Sequence, residues 1–146
     1  MSEKIQPVSN PALRNAMERM HAGENSRESQ MATLQLLLCA QLISPVTVIE
    51  GKETQIQFQL LTTQDGRAFF PAFTDLEQMK KGFPDPNQKT LVLTFADFAR
   101  MVLKDNAAAG LVVDPYDASL TLERPLMEFM EKVREDMEKN QPPVKS

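Results

Sequence analysis

Residues 65–77 decide the fold, and they read DGRAFFPAFTDLE. Asp65-Gly66 is a strong hairpin signal and predicts a type I′ turn, which needs positive φ at both central positions. The aromatic run after it predicts a strand that ends at Pro71, because rings pack well on a pleated surface. Thr74 and Glu77 have the spacing of a capping box, so a helix is expected to begin between them. The stretch thus predicts a strand that enters from a hairpin and leaves into a helix.

Two helices are predicted before this stretch. Asn10-Pro11 combines an N-cap residue with a first-turn proline, and Gly23 is expected to end the helix that they open. Ser26 or Ser29 can cap a second helix, which carries a leucine-rich stripe. That helix is expected to stop before Ser44-Pro45, because the residue before a proline avoids the helical region.

Residues 46–72 predict a three-stranded antiparallel meander. Ile56, Phe58 and Leu60 alternate with glutamines, which is the period of a strand with one buried and one wet face. We therefore expect these three side chains to face the core. The neighbouring rings of Phe69-Phe70 should point to opposite faces of the sheet, and cover on both faces is favoured over an exposed ring.

After residue 77 the pattern changes to short helices that alternate with short strands. Predicted in order are a buried strand at 91–93, a helix with a capping box at Thr94 and Asp97, a strand at 110–113, a turn at Asp114-Pro115, a returning strand at 120–122, and a last helix from Pro125. This order of elements is typical of an α+β domain.

We predict a mixed, mainly antiparallel sheet of roughly five to six short strands packed with about five helices. Residues 10–139 are expected to form this single domain, between flexible ends at 1–9 and 140–146.

Composition excludes several classes of function. Sixteen Lys and Arg stand against twenty Asp and Glu, a formal net charge of −4, which argues against a nucleic-acid surface. One Cys and one His are too few for a disulfide framework or a metal centre. The N-terminal sequence lacks a secretory pattern and no apolar run is long enough for a membrane span, so a cytoplasmic location without membrane contact is expected.

No residue pattern points to catalysis. His21 is interpreted as a helix C-terminal residue, and Cys39 is expected to pack in the core among leucines and alanine. The carboxylates have capping and turn positions, and the five glycines are scattered rather than gathered in a phosphate loop. We therefore expect no catalytic residue, no cofactor and no metal ligand, and the protein is not expected to be an enzyme.

A resemblance to a known family is carried by three motifs. Residues 65–77, the helix start at 94–99 and the strand-turn GLVVDPY at 110–116 resemble the N-terminal domain family of SseB, the enhanced serine sensitivity protein. The resemblance spans roughly residues 10–130, and Asp114 stands where the family more often has Asn. It implies an α+β fold with a mixed sheet, and it implies no catalytic residue or cofactor.

Two functional hypotheses remain open. The first is an interaction module that binds a protein partner or a second copy of itself. The second is a small-molecule binder or enzyme linked to amino-acid metabolism, serine in particular, for which Asp75 and Asp114 are the first side chains to inspect. The methionines on the predicted helices are favoured as core packing, and binding of a partner by the last helix is kept as the alternative. The expected binding surface joins the family-matching positions to two methionines of that helix: Phe73, Thr74, Asp75, Asp114, Pro115, Tyr116, Met127 and Met130.

Overall fold

The computed structural model describes residues 8–24, 26–104 and 108–139. The helices in these residues are α1 (Pro11–His21), α2 (Arg27–Leu38), α3 (Leu76–Lys80), α4 (Phe95–Lys104) and α5 (Arg124–Lys139). The strands are β1 (Gln41–Ile49), β2 (Gln55–Phe58), β3 (Leu61–Thr62), β4 (Ala68–Ala72), β5 (Lys89–Thr94), β6 (Gly110–Val113) and β7 (Leu120–Glu123). The α+β prediction is confirmed. Most of the predicted flexible ends, 1–9 and 140–146, lies outside the described residues.

The strands form two sheets rather than the single sheet that the sequence predicts. A three-stranded antiparallel sheet has the order β2-β1-β5, and a four-stranded sheet has the order β3-β4-β6-β7 with β4 and β6 parallel. An isolated bridge joins the sheets: Ile43 of β1 and Phe73, which directly follows β4, exchange two backbone hydrogen bonds of 2.9 Å. The predicted meander over 46–72 is therefore wrong, because β4 pairs with β3 and β6 and not with β2. Pairing with β6 places Phe70 and Ala72 against the main core, and that burial outweighs a continued hairpin.

The turn before β4 also differs from the prediction. Gly66 has a φ of +85° but Asp65 does not have a positive φ. The N–H of Thr63 donates to the carbonyl of Arg67 at 2.8 Å, and the N–H of Gly66 donates to that of Thr63 at 3.0 Å. The loop thus has three residues and a left-handed glycine at its end, the arrangement of a type I turn followed by a bulge.

Pro45 lies within β1 although β1 is the central strand of its sheet. Its carbonyl accepts a hydrogen bond from the N–H of Gln59 at 3.4 Å, which places the backbone groups of Pro45 on the β2 side. β2 ends at Phe58, so Pro45 and Gln59 lie at the end of that ladder. The proline withholds only the bond that would return to the Gln59 carbonyl, at a ladder end, where its missing N–H disturbs the pairing least.

Helix starts follow the predicted chemistry at α2 and α4 and depart from it at α3. Ser26 caps α2, and Thr94 and Asp97 bond reciprocally at 3.0 and 3.3 Å before α4. At α3 the cap is Asp75, whose Oδ1 accepts from the N–H of Gln78 at 2.9 Å, and not Thr74. Thr74 is instead bound to a distant carboxylate, so long-range pairing replaces the local capping box.

The main core lies between the helices and one face of the four-stranded sheet. Its largest fully buried members include Phe95, Phe98, Leu111 and Leu122. A smaller cluster of Ile43, Phe73 and Met79, with Val8 and Phe83 against it, lies beside the bridge between the sheets.

Met127 and Met130 are buried, so these methionines fill the core, as favoured for helical methionines, and they form no contact surface. Other expectations about burial are wrong. Cys39 is exposed, because it lies directly after α2, where Leu37 and Ala40 take the interior positions. The strand predicted as buried at 91–93 has Val92 exposed, since β5 is an edge strand.

Arg124 joins the start of α5 to the end of α4. Its guanidinium donates to the carbonyls of Val102, Leu103 and Ala108. The positive charge therefore lies where the helix dipole is negative and where carbonyls lack helical partners.

Replacing Arg124 with Met is expected to lower the free energy of unfolding by about 2–3 kcal/mol, because these carbonyls lose a charged donor. Urea unfolding followed by circular dichroism measures the change. Arg100→Met is the matched control: Arg100 is exposed and pairs with Asp97 at 3.7 Å, so we expect a change below about 0.5 kcal/mol. Equal losses in both variants would contradict the assigned role of Arg124.

Candidate functional site

Six of the eight predicted site residues lie around the carboxyl ends of the parallel strands β4 and β6. Asp114, directly after β6, accepts two hydrogen bonds from Thr74, which follows β4. The Thr74 N–H donates to Asp114 Oδ1 at 2.9 Å, and the Thr74 hydroxyl donates to Oδ2 at 2.7 Å. Crevices at this end of parallel strands often bind ligands in α/β sheets. Here the two side chains are buried and are hydrogen-bonded to each other. We name the pair the Thr74–Asp114 clamp, because it holds the two strand ends together.

Asp114 combines two unfavourable features. Its φ of +49° lies in the left-handed region that Asn, Asp and Gly tolerate best. Burial raises the pKa of the Asp114 carboxyl, while the hydrogen bonds from Thr74 and the charge of Arg14 oppose that rise. A perturbed pKa is a common mark of a functional carboxylate. In this position both oxygens already have partners, which favours a structural role.

An ion-paired cluster lies next to this clamp. Arg14 of α1 donates to Asp75 Oδ2 at 3.3 Å and to Asp117 Oδ2 at 3.5 Å. Asp117 is also 3.5 Å from Lys81 Nζ and accepts from Gln78 Nε2 at 3.2 Å. The cluster therefore fastens α1 and α3 to the turn after β6.

Asn10 adds to the same junction. Its side chain does not cap α1 but donates from Nδ2 to the carbonyls of Gln41 and Thr74, at 2.8 and 2.9 Å. The amide thus joins the start of α1 to the start of β1 and to the segment after β4.

Aromatic rings close the other side of the junction. Phe73 stacks on Tyr116 with ring centroids 6.2 Å apart, and it meets Phe83 edge to face at 6.0 Å. Tyr116 lies so close to Gly82 that an added Cβ would be 2.0 Å from the ring. These rings seal the small core cluster rather than line an open recess.

The predicted binding surface is therefore only partly a surface. Phe73, Thr74 and Asp114 are buried, as are the two methionines of α5 discussed above. Asp75 and Pro115 are half-buried, and Tyr116 is exposed. The structure brings the six family-matching residues together around the junction of the two sheets, and it places Met127 and Met130 in the main core, away from them.

An exposed apolar region lies elsewhere, on the hairpin of β1 and β2. We name residues 47–57 the β1–β2 arm; all of them are exposed. Val48 and Ile56 are cross-strand partners on one face of the arm, and Ile49 lies on the opposite face. Their exposed fractions are 36%, 48% and 45%. The alternation of Ile56 and Leu60 with glutamines predicted covered side chains here, and that prediction is wrong. The charged and glycine-bearing turn at 50–53 was the signal of a solvated tip.

A further recess lies on the face of the four-stranded sheet opposite the main core. It encloses about 300 Å³ and is lined by Leu61, Phe69, Val112 and Pro115 among others. Arg67 lies over the Phe69 ring at 5.4 Å and pairs with Glu123 at 2.8 Å. The recess is thus mainly apolar, with a neutralised guanidinium at its rim.

The remaining chemistry is sparse. His21 Nε2 lies 2.7 Å from the carbonyl of Ser119, so it links α1 to the segment before β7. Over the described ranges, no three His, Cys, Asp or Glu side chains are grouped as a metal site would need. Within those same ranges, no helix has the length and apolar character required to cross a bilayer.

Comparison with known proteins agrees with the motifs. Neither a curated protein nor a solved structure matches this chain significantly. The family model described as the SseB protein N-terminal domain matches residues 13–128, which is most of the chain and includes the clamp, the ion-paired cluster and the arm. The chain therefore belongs to the SseB N-terminal domain family.

Proposed function

We propose that this domain is a non-enzymatic protein-interaction module whose partner covers the β1–β2 arm. The observation that carries the proposal is the unbroken exposure of residues 47–57 together with the apolar side chains of Val48, Ile49 and Ile56. The proposal includes the cytoplasmic location expected from the sequence.

The arm is poorly stabilised by its own contacts. A two-stranded hairpin in water is marginally stable and normally needs a third strand or a packed face. In the described part of the chain β2 pairs with β1 alone. Val48 and Ile56 extend the apolar stripe of Val46 and Phe58 outward, beyond the point where the body of the domain covers it. A protein partner that covers this stripe would bury apolar area and stabilise the arm.

The carboxylates at the sheet junction support a role outside catalysis. Both oxygens of Asp114 are occupied by Thr74, and those of Asp75 cap α3 and bind Arg14. Each of these groups fixes the position of an element. A reacting substrate would have to displace bonds on which the junction depends.

Binding of a small molecule is the second candidate, and the recess beside Phe69 favours it. Its volume is at the lower end of the range for ligand pockets, which are mostly apolar with a few polar groups. The apolar lining fits an aliphatic or aromatic ligand better than serine itself. A thermal-shift screen that includes serine and hydrophobic amino acids tests this candidate, with a rise in melting temperature as the supporting result.

The interaction proposal predicts that arm substitutions remove partners. We expect the double variant Ile49→Ser with Ile56→Ser to retain its fold but to recover partner proteins at least fivefold less in quantitative affinity purification from a lysate of the source cells. Sedimentation of the purified protein checks self-association in parallel. The matched control is Leu36→Ser with Val92→Ser, two exposed apolar residues outside the arm.

Partner recovery that falls equally in both double variants, or in neither, would contradict the proposal. A wild-type protein that is strictly monomeric and recovers no specific partner would also overturn it.

A further inference from the structure

The central strand β1 extends beyond its neighbour β5. The last pair between them is Val46 with Lys89, whereas the pairing of β1 with β2 continues to Ile49. Past Val46, the β5 side of β1 therefore has no strand partner within the described ranges.

The backbone groups on this open side can be assigned from the alternation of an antiparallel ladder. Pro45 directs its carbonyl to the β2 side, where Gln59 donates to it. Val46 directs its carbonyl to the β5 side, where Gln88 Nε2 donates at 2.8 Å. Two residues further on, the backbone groups of Val48 must again point to the β5 side. Its N–H and carbonyl thus lie along the open edge.

A groove follows this edge. It encloses about 620 Å³ and is lined by β1 residues 46–48, by Glu50 and by the segment 85–89 except Pro86. An open strand edge is a template for another extended backbone, and natural proteins usually protect such edges. Here the edge lies along an open groove.

We propose that the groove binds an extended segment of a partner protein, which adds as a strand beside β1 and in line with β5. This inference rests on the proposed function of the arm and names its mode of recognition. The added strand exchanges backbone hydrogen bonds with Val48, as in other cases of β-strand addition. Alternate side chains of the segment then lie against Val48, on the face that it shares with Ile56.

The charges of the groove define the partner further. Glu50 and Asp85 both line it, and across the described ranges neither takes part in an ion pair, although Asp85 accepts from the N–H of Asn87 at 2.9 Å. Lys89 is the basic residue in the lining, so the groove carries an excess of negative charge. The segment that fits is extended, apolar at alternate positions and basic at one or more of the others.

The test uses a displayed library of random twelve-residue peptides as the probe, selected on the full chain. We expect enriched peptides to alternate apolar residues with Lys or Arg. Val48→Pro should weaken their binding at least tenfold, because it removes the N–H on the open β5 side, while the bonds of β1 to β2 are made by the residues on either side of Val48. Val48→Ala is the matched control, since it keeps the N–H, and it should weaken binding less than threefold.

Amide hydrogen exchange gives a second readout on the unaltered chain. The Val48 N–H should exchange rapidly in the free protein and become protected when a selected peptide binds. Failure to enrich any peptide, equal binding by Val48→Pro and wild type, or protection confined to other amides would each overturn the inference.

The two proposals fail in distinguishable ways. Cellular partners that depend on Ile49 and Ile56 but are unaffected by Val48→Pro would preserve the arm as an interface and reject strand addition. Partners whose binding is unchanged by both sets of substitutions would contradict the proposed function itself.

Discussion

Replacing Gly110 with alanine is expected to destabilise the domain by about 3 kcal/mol or more, because the new side chain has no room between β6 and β7. An added Cβ would lie 2.0 Å from the carbonyl oxygen of Leu122 and 3.0 Å from the Cα of Glu123. Both are backbone atoms of β7, so no side-chain rotation can relieve the contact. Separation of β6 from β7 would also disturb the paired core residues Leu111 and Leu122.

Urea unfolding and the yield of soluble protein measure this effect. Gly51→Ala is the control, because no atom lies within 4 Å of its added Cβ and its φ is not positive. We expect the control to change the free energy of unfolding by less than about 0.5 kcal/mol. A Gly110→Ala variant as stable as the control would show that β6 and β7 are not paired as described.

Replacing Asp114 with alanine is expected to cost about 2–4 kcal/mol. The substitution leaves the buried N–H and hydroxyl of Thr74 without their acceptors, and it places a non-glycine residue without a compensating polar side chain at positive φ. Chemical denaturation again gives the magnitude. An Asp117→Ala variant, which alters an exposed partner of the same ion-paired cluster, should lose about 1 kcal/mol or less.

Asp114→Asn, unlike Asp114→Ala, should raise the free energy of unfolding at neutral pH. Asparagine can accept from the Thr74 N–H, donate to its hydroxyl oxygen and tolerate positive φ, but it carries no buried charge. Because burial raises the pKa of Asp114 in the folded state, the native protein binds this proton more tightly than the unfolded chain. The contribution of Asp114 to stability is therefore fully present below its unfolded pKa and is lost as pH rises through its folded pKa.

The stability of Asp114→Asn relative to the wild type should thus increase as pH rises from the unfolded pKa through the raised folded value, and then level off. Unfolding experiments over a series of pH values measure this difference. A relative stability that falls with rising pH would indicate that the charged form of Asp114 is favoured by folding, contrary to the burial argument.

Local chemistry predicted many of the individual elements. Pro11 at the first turn of α1, Ser26 as the cap of α2 and the reciprocal bonds of Thr94 and Asp97 are all present as the sequence predicts. Each depends on residues within one turn of each other. Such contacts form wherever the segment is placed, so a linear pattern is sufficient to detect them.

Predictions failed where a distant residue competed with a neighbour. Thr74 was expected to cap α3, but the buried carboxylate of Asp114, forty positions away, binds it instead. Asn10 likewise leaves its capping role for two carbonyls on other elements. A buried hydrogen bond to a charged group is stronger than an exposed cap, and no local pattern reports which groups will be buried together.

In the candidate sites, too, local motifs were predicted correctly and long-range burial was not. The resemblance in residues 65–77 and 110–116 identified side chains that do meet at the sheet junction, but it did not reveal that most of them are enclosed there. The exposure of the arm was not predicted, because the alternation of Ile56 and Leu60 with glutamines is equally typical of a strand that covers a core. Whether an apolar face meets anything depends on how far the rest of the chain extends beneath it.

By itself the sequence determined the class of fold, the starts of most helices, the family and the lack of a residue pattern for catalysis. Only the tertiary structure decided the division into two sheets, the enclosure of the Thr74–Asp114 clamp and the exposure of the β1–β2 arm. The physical reason is that periodicity and capping are set by neighbours along the chain. Strand partners and burial are instead set by a competition among all segments for one limited interior.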